Sequence, residues 1–370
     1  MNETYFAAID LGTNKIAGAV AKKQEDGKLI IISLEEEPTE ANAVLYGLVA
    51  DYQQVLFQIK RLITKLQNSS KVTINNCYIG IGGKLLEKKY PNSIELMNDV
   101  INSASKLTPA INLIEVECPI LCTANAVLSD QEKNNGCLFI DFGAGCTSFV
   151  LYENGEPKKM SATKAGGNLV TKDLTDLQLP FKLAEKLKIK FGNALASTEK
   201  IEKIIELSKK TDDEKGFHIK SGQLAYIIEA RIRETVDVLL NYLLSINWFN
   251  KGTEKRNVVI TGGASKLTNL DTLISEKANV NVIIANAGNK IININNFSTM
   301  QDAEYSALCG MLLCATEGCK SAKEVVKTVK KKPKKSPIKS YVEKIGQGFD
   351  NLFSGKNESF NDTQENNTDK

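Results

Sequence analysis

The chain has 370 residues, of which 42% are hydrophobic and 25% charged, with a net charge of +3, enough to build two compact lobes with substantial cores. A histidine-based triad or metal centre is excluded, because His218 is the only histidine and stands in a polar stretch with no Ser or Cys motif nearby. No stretch reaches the roughly 18 apolar residues of a spanning helix, and Met1 leads straight into a strand pattern, so neither a secreted nor an integral membrane protein is expected.

The eight cysteines (Cys77, Cys118, Cys122, Cys137, Cys146, Cys309, Cys314, Cys319) form no CxxC pair and mostly sit in apolar runs, which predicts buried free thiols. The basic character is local. Between Lys320 and Ile345 ten Lys face only Glu324 and Glu343, a balance of +8 that leaves −5 for the rest of the chain.

In chain order, Tyr5–Ile9, Ile16–Lys22 and Leu29–Ser33 predict three strands of an antiparallel meander, broken at Gly12-Thr13-Asn14 and at Glu25-Asp26-Gly27. A helix follows from about Asp51 to Leu66, on the spacing of Val55, Leu56, Ile59, Leu62, Ile63 and Leu66, and then a strand at Cys77–Ile81. Residues 84–114 show weaker periodicity and a Tyr90-Pro91-Asn92 break, and read as a small insert subdomain. The meander then recurs at Cys137–Ile140, Thr147–Tyr152 and Lys159–Thr163, with an Asn154-Gly155 turn. Helices are predicted at Leu183–Phe191, Thr198–Ser208 and Leu224–Trp248, the last apolar on most faces and so expected between layers. A strand at Asn257–Ile260 runs into Thr261-Gly262-Gly263-Ala264-Ser265. Two copies of one meander predict two related α/β lobes.

Each meander opens with an apolar strand ending in Asp-x-Gly. Asp10 is followed by Gly12-Thr13-Asn14, and Asp141 by Gly143-Ala144-Gly145-Cys146. Small residues let backbone N–H groups approach phosphate closely, and the two carboxylates suit Mg²⁺ held mostly through water. A single DxG is an ordinary turn signal; two on duplicated meanders predict a phosphate clamp. Glu185 and Lys188, three apart on one helix, are candidates to reach a ribose or the adenine edge, or else belong to a solvated charged face. The Gly262-Gly263-Ala264 turn is a candidate to flank the adenine, or is a tight strand–helix connection.

With these elements in order the chain resembles the actin, heat-shock chaperone and sugar kinase superfamily, and within it the bacterial cell-division FtsA family. The matching segments are AAIDLGTNKI (Ala7–Ile16), YIGIGGK (Tyr78–Lys84), LFIDFGAGCTSF (Leu138–Phe149), AGGNLVTKDL (Ala165–Leu174), AEKLKIKFG (Ala184–Gly192), IIEAR (Ile227–Arg231), VVITGGASKLTNL (Val258–Leu270) and AEYSALCGMLL (Ala303–Leu313). The GAGCTS form of the second loop looks most like the Bacteroidetes-type version. The resemblance implies an actin-like α/β fold of two ribonuclease-H-like lobes around a nucleotide cleft: lobe I over 1–135 and about 300–319, lobe II over 136–299 with an outer helical subdomain at about 180–254. It implies ATP and Mg²⁺ as cofactors, with Asp10 and Asp141 positioning Mg²⁺ and water. Lys15, Gly166 and Gly167 join the cofactor-binding residues on the same basis. The FtsZ carboxy-terminal peptide is the implied partner, on the lobe containing Lys220–Phe249. Arg231 either pairs with an acidic group of that peptide or lies in a helix–helix salt bridge. Self-association is a further expectation.

Three departures bear on activity. The insert is short, which touches filament formation. The second loop carries Cys146 and Ser148 where hydrolysing relatives commonly carry Thr and an acidic residue. Cys118 precedes Pro119 where chaperones place a catalytic Glu, and Glu117, one step back on a predicted strand, faces the other way. ATP binding with slow or negligible hydrolysis is expected. The alternative is a small-molecule kinase of the same superfamily.

Beyond the body, 320–336 reads as a basic flexible linker and 355–370 as disordered. Between them, Ile338, Tyr341, Val342, Ile345, Phe349, Leu352 and Phe353 recur at helical spacing over 337–354. Such a helix lies in the headgroup plane, and each nearby Lys adds about 1 kcal/mol on anionic lipid. The alternatives are docking on the body and nucleic-acid binding; the expectation taken is anionic lipid and no nucleic acid. The FtsA family ends in the same way, which implies a peripheral protein on the cytoplasmic face of the membrane at the division septum.

Overall fold

The computed structural model describes residues 4–107, 109–199, 201–207, 217–245, 248, 257–292 and 297–319. The predicted linker, amphipathic helix and polar end over 320–370 lie outside the described residues, as does Phe249.

The first half opens with β1 (Tyr5–Leu11), β2 (Lys15–Lys23) and β3 (Leu29–Pro38), an antiparallel meander in which Asp10 pairs with Ala17. A two-residue hairpin joins β4 (Val44–Leu45) to β5 (Leu48–Val49). Helix α1 (Tyr52–Ser70) starts where the Asp51 side chain accepts from the N–H groups of Gln53 and Gln54, and stops at Lys71, whose φ of 60° leaves the helical region. It buries Val55, Ile59, Leu62, Ile63 and Leu66, each worth about 1.5–3 kcal/mol as an upper estimate. The chain then lays β6 (Asn76–Ile81) parallel to β1, crosses over through α2 (Pro91–Ala104) and adds β7 (Asn112–Glu115) parallel to β6. Helices α3 (Pro119–Val127) and α4 (Asp130–Asn135) lead into the second half.

There β8 (Cys137–Phe142), β9 (Thr147–Glu153) and β10 (Glu156–Thr163) repeat the meander. Helices α5 (Gly167–Thr175) and α6 (Phe181–Phe191), the hairpin β11 (Ile204–Leu207) and β12 (Phe217–Lys220), and α7 (Ser221–Ser245) precede β13 (Asn257–Thr261), which is parallel to β8. Helix α8 (Leu270–Ala278) and β14 (Asn281–Ile284) complete the second sheet, and β15 (Ile291–Ile292) and α9 (Ser306–Cys314) return to the first.

The two sheets share one topology. Their orders are β15-β3-β2-β1-β6-β7 and β10-β9-β8-β13-β14, so in both the meander's first strand lies in the interior and a crossover adds the next strand beside it in parallel. That placement puts Asp10 and Asp141 at equivalent carboxyl ends of interior strands, where open α/β sheets bind ligands. All eight cysteines are free, and all but the half-buried Cys314 are buried.

Five expectations are corrected. Residues 84–114 form no separate subdomain: α2 turns Met97, Val100 and Ala104 into the same core cluster as α1, making the segment a crossover of the first lobe. The predicted helix over 198–208 becomes a 3₁₀ turn and β11. There the exposed Ile204 and buried Ile205 alternate, and pairing with β12 overrides a spacing that also fits a helix. Helix α7 is one-sided, burying Leu224, Ile228, Ile232, Val236 and Leu239 while Tyr226, Val238 and Leu244 stay exposed. Glu117 lies in a bend beyond β7 and not on a strand. The chain also rejoins the first sheet at β15, ahead of the expected boundary at 300.

Candidate functional site between the two sheets

The two Asp-x-Gly hairpins face each other. Gly145 packs on Thr13 so tightly that a Cβ on it would sit 2.3 Å from the Thr13 Oγ1. The Gly143 N–H donates to the Cys146 carbonyl at 3.0 Å, closing the second turn, and the N–H groups of Gly167 and Asn168 donate to the carbonyls of Gly143 and Ala144 at 3.0 and 2.8 Å. Gly166 lies against the Ala144 carbonyl. Asn14 and Asn168 exchange a reciprocal pair of amide bonds at 2.8 and 2.7 Å, and the Ser148 hydroxyl donates across the lobes to the Gly82 carbonyl at 2.8 Å. Among the described residues no protein acceptor takes the N–H groups of Thr13, Ala144 or Gly145.

Asp10 and Asp141 are half-buried at the ends of β1 and β8, and neither carboxylate accepts a hydrogen bond from a protein group among the described residues. Burial raises the Asp10 pKa to about 6 against the opposing charge of Lys15. Burial, followed by the like charge of Asp10, raises that of Asp141 to about 7. Two carboxylates that destabilise each other as anions, with no protein donors, favour a cation between or beside them.

Lys15 is not free to serve as that cation. Its Nζ lies 2.9 Å from Glu36 and 2.9 Å from Glu304, and 3.8 Å above the Tyr305 ring centroid. Burial works against the ammonium, but its hydrogen bonds to Glu36, Glu304 and Tyr305 outweigh that and hold its pKa above the usual lysine range. Lys266 adds ion pairs to Glu304 and Asp302 at 3.0 and 3.4 Å.

The other predicted contacts gather at the start of α5. Lys188 donates to the Gly167 carbonyl at 3.0 Å and to the Thr171 hydroxyl at 2.9 Å, and pairs with Glu185 at 2.7 Å. Thr171 in turn donates to Glu185. Burial lowers the Lys188 pKa against the pull of Glu185. Gly167 stands between Ala264 and Lys188, each 3.3 Å from where its Cβ would be, and Gly263 lies near Glu304. Gly262, at φ 90° and ψ 166°, presses on the Asp141 carboxylate, with a would-be Cβ 2.3 Å from Oδ1. Gly143, Ala144, Gly166, Gly167, Glu185, Lys188 and Ala264 thus touch one another in a single chain of contacts, Gly145 packs on Thr13 and Gly262 on Asp141, whereas the charge of Lys15 is already matched. Glu36, Glu304, Tyr305, Asn168 and Thr171 were not anticipated, although all but Glu36 fall inside the matching segments.

Cys146 lies with its Sγ against Gly47 and Gly82, and burial, then the charges of Asp141 and Asp10, pushes its thiol up to about 12. Cys118 is buried, 3.8 Å from the Met160 sulfur, with its thiol pushed up to about 11 by burial. Neither is a base at neutral pH.

Arg231 takes the second of its two predicted roles. On α7 it pairs with both oxygens of Asp173 on α5 at 2.6 and 2.9 Å, and with Glu234. Arg231→Ala is expected to destabilise the protein by about 1–3 kcal/mol, because it strands a half-buried carboxylate, whereas Arg231→Lys keeps the charge and loses the fork, costing about half that. Urea denaturation of the two variants checks this.

Paired sheets of this topology facing each other across two Asp-x-Gly hairpins make up an actin-like fold. The fold is similar to the MreB 5 protein of Spiroplasma citri solved with AMPPNP (TM-score 0.57, 15% identity, 84% of this chain and 95% of that one). It is also similar to the PilM-PilN type IV pilus biogenesis complex (TM-score 0.62, 13% identity, 84% and 98%). Residues 138–310 match the family model of cell division protein FtsA. The chain is 25% identical over 336 residues to cell division protein FtsA of Neisseria meningitidis, spanning 72% of this chain and 80% of that protein. It is 28% identical over 394 residues to that of Buchnera aphidicola subsp. Baizongia pistaciae, spanning 84% and 91%. Over residues 138–310 the chain is thus similar to the FtsA family of cell-division proteins.

Proposed function

We propose that the chain binds ATP with Mg²⁺ between its lobes and, as a cell-division protein, tethers an FtsZ ring to the cytoplasmic face of the membrane. The observation that carries the ligand reading is the pair Asp10 and Asp141, without protein donors, beside amides of Thr13, Ala144 and Gly145 without protein acceptors. This set fits a polyphosphate carried with a divalent cation. Among the described residues no group of three or more His, Cys, Asp or Glu could hold a metal unaided, so the cation would share phosphate oxygens and waters. Asp10 and Asp141 would orient those waters, and Mg²⁺ would neutralise phosphate charge. Lys188, Glu185, Gly167, Gly263 and Ala264 would meet the nucleoside. The S. citri protein, solved with AMPPNP, supports a nucleotide in a cleft of this fold.

Hydrolysis is expected to be slow. The thiols of Cys118 and Cys146 are protonated and buried, and the Ser148 hydroxyl is committed to Gly82, which leaves few groups to accept a proton from water. Steady-state turnover below about 1 s⁻¹ is expected; a faster rate overturns this. Equilibrium binding of fluorescent Mg-ATP to the full chain tests the ligand reading, and an absence of saturable binding sinks it.

The tether rests on the sequence of 337–354 together with the basic run before it. No helix among the described residues is long and apolar enough to cross a membrane. Deleting 337–354 should abolish co-sedimentation with anionic liposomes, and unchanged sedimentation would remove the tether. The exposed Tyr226, Val238 and Leu244 on α7 support a peptide-binding face on the second lobe for FtsZ, with Arg231 bracing α7 from within.

A further inference from the structure

We infer that Lys164, clasped between Tyr46 and Tyr90, is a positioning residue that latches the two lobes over the phosphate end of the cleft and sets how long a nucleoside polyphosphate stays bound. The inference rests on the ligand reading above and goes beyond it.

Lys164 belongs to the second lobe, between β10 and α5. Its Nζ lies 4.6 Å from the ring centroid of Tyr46 and 4.0 Å from that of Tyr90, both of the first lobe. An ammonium held by two ring faces is attracted by both quadrupoles.

Each side of the latch adjoins one phosphate hairpin. Ala165, next to Lys164, has its carbonyl held by the Thr147 hydroxyl at 2.5 Å, and Gly166 presses on the Ala144 carbonyl. Gly47, next to Tyr46, donates its N–H to the Thr13 hydroxyl at 3.0 Å, accepts from the Gly83 N–H at 3.0 Å, and packs against the Cys146 sulfur. The β4–β5 hairpin is therefore a small flap pinned to the first hairpin and touching the second.

The backbone of Tyr46 is the second, independent sign. Tyr46 and Gly47 are the central residues of the two-residue turn, with φ of 53° and 70°, the left-handed pair that Asn-Gly adopts most readily. A bulky aromatic residue rarely holds positive φ, and its hydrophobic bulk is not needed there, since Tyr46 remains 40% exposed. A ring retained in a strained turn and stacked on a cation from the opposite lobe points to the cation as its purpose.

The test is the dissociation rate of fluorescent Mg-ATP from the full chain, chased with unlabelled ATP. Lys164→Ala should speed release by about fivefold or more, the equivalent of one cation–π contact, while Lys164→Arg should stay near wild type. Tyr46→Asn separates a latch from a structural role. It relieves the turn, so the unfolding midpoint should hold or rise, yet release should quicken about threefold. A purely structural Tyr46 predicts the raised midpoint with unchanged release. Unchanged release from Lys164→Ala overturns the latch alone, and failure of the wild-type protein to hold the nucleotide overturns the ligand reading and the latch with it.

Discussion

Gly262→Ala is expected to lower the unfolding midpoint by about 6–10 °C and to abolish nucleotide binding together with it. Gly262 follows β13, its N–H donates to the Ala303 carbonyl at 3.2 Å, and its own carbonyl accepts from the Ser265 N–H and hydroxyl at 3.1 and 2.7 Å. These bonds hold it at φ 90° and ψ 166°, a region that only glycine occupies without strain. The added methyl would also meet the Asp141 carboxylate and the Phe142 carbonyl at 2.3 and 2.5 Å, the second of them backbone that cannot swing aside. Strain and overpacking together cost about 3–5 kcal/mol. Differential scanning calorimetry checks the midpoint. A neighbour that tolerates the change sharpens the comparison: at Gly263 the nearest atom to a new Cβ is the Glu304 Cβ at 3.7 Å, an ordinary contact, so Gly263→Ala should fold as wild type does.

Asp141→Asn should have the opposite sign. In the unfolded chain an Asp titrates near 3.9, whereas in the folded cleft Asp141 titrates near 7. Between those values the folded state holds the proton more tightly than the unfolded state, so wild-type stability falls as pH rises from about 4 to about 7 and then levels. Asn carries no titrating proton and loses no protein hydrogen bond. The variant should therefore match wild type below about pH 4 and exceed it increasingly up to pH 7. Above that its advantage should hold at on the order of 2 kcal/mol, once solvent reaching the cleft is allowed for. Part of the gain comes from Asp10, freed of a like charge. Saturating Mg-ATP should reverse the order, since ligand at a hundred times its Kd adds about 2.7 kcal/mol to the protein that can bind it. Thermal melts from pH 4 to 8, with and without Mg-ATP, read both effects. A variant less stable than wild type at pH 8 without ligand would refute the electrostatic account.

Local pattern was enough for much of the fold. The strand–turn–strand repeats place Asp10 and Asp141 directly, because alternation, Gly-rich turns and terminal Asp are all short-range signals. Helix α1 is legible from its apolar stripe and its Asp51 cap. The misreadings fall where a partner far along the chain decides. Ile204 and Ile205 fit a helix until β12 pairs with them. The segment 84–114 looks like an appendage until α2 is seen to share the core of α1. Glu36 lies in no matching segment, and Glu304 and Tyr305 lie in one that gives them no role; all three matter because they converge on Lys15 from 21, 289 and 290 residues away.

The two Asp-x-Gly hairpins, the duplicated meander, the buried thiols and the basic run before 337–354 were thus determined by residue order alone, since each depends on neighbours within a few positions. Only the tertiary structure decided what each charged group does. Lys15 is matched by carboxylates, Arg231 by Asp173 and Lys164 by two tyrosine rings, while Asp10 and Asp141 remain without protein donors among the described residues and burial raises the pKa of both. The strength of a charge depends on its desolvation and on what lies within a few ångströms, and neither is a property of position in the chain.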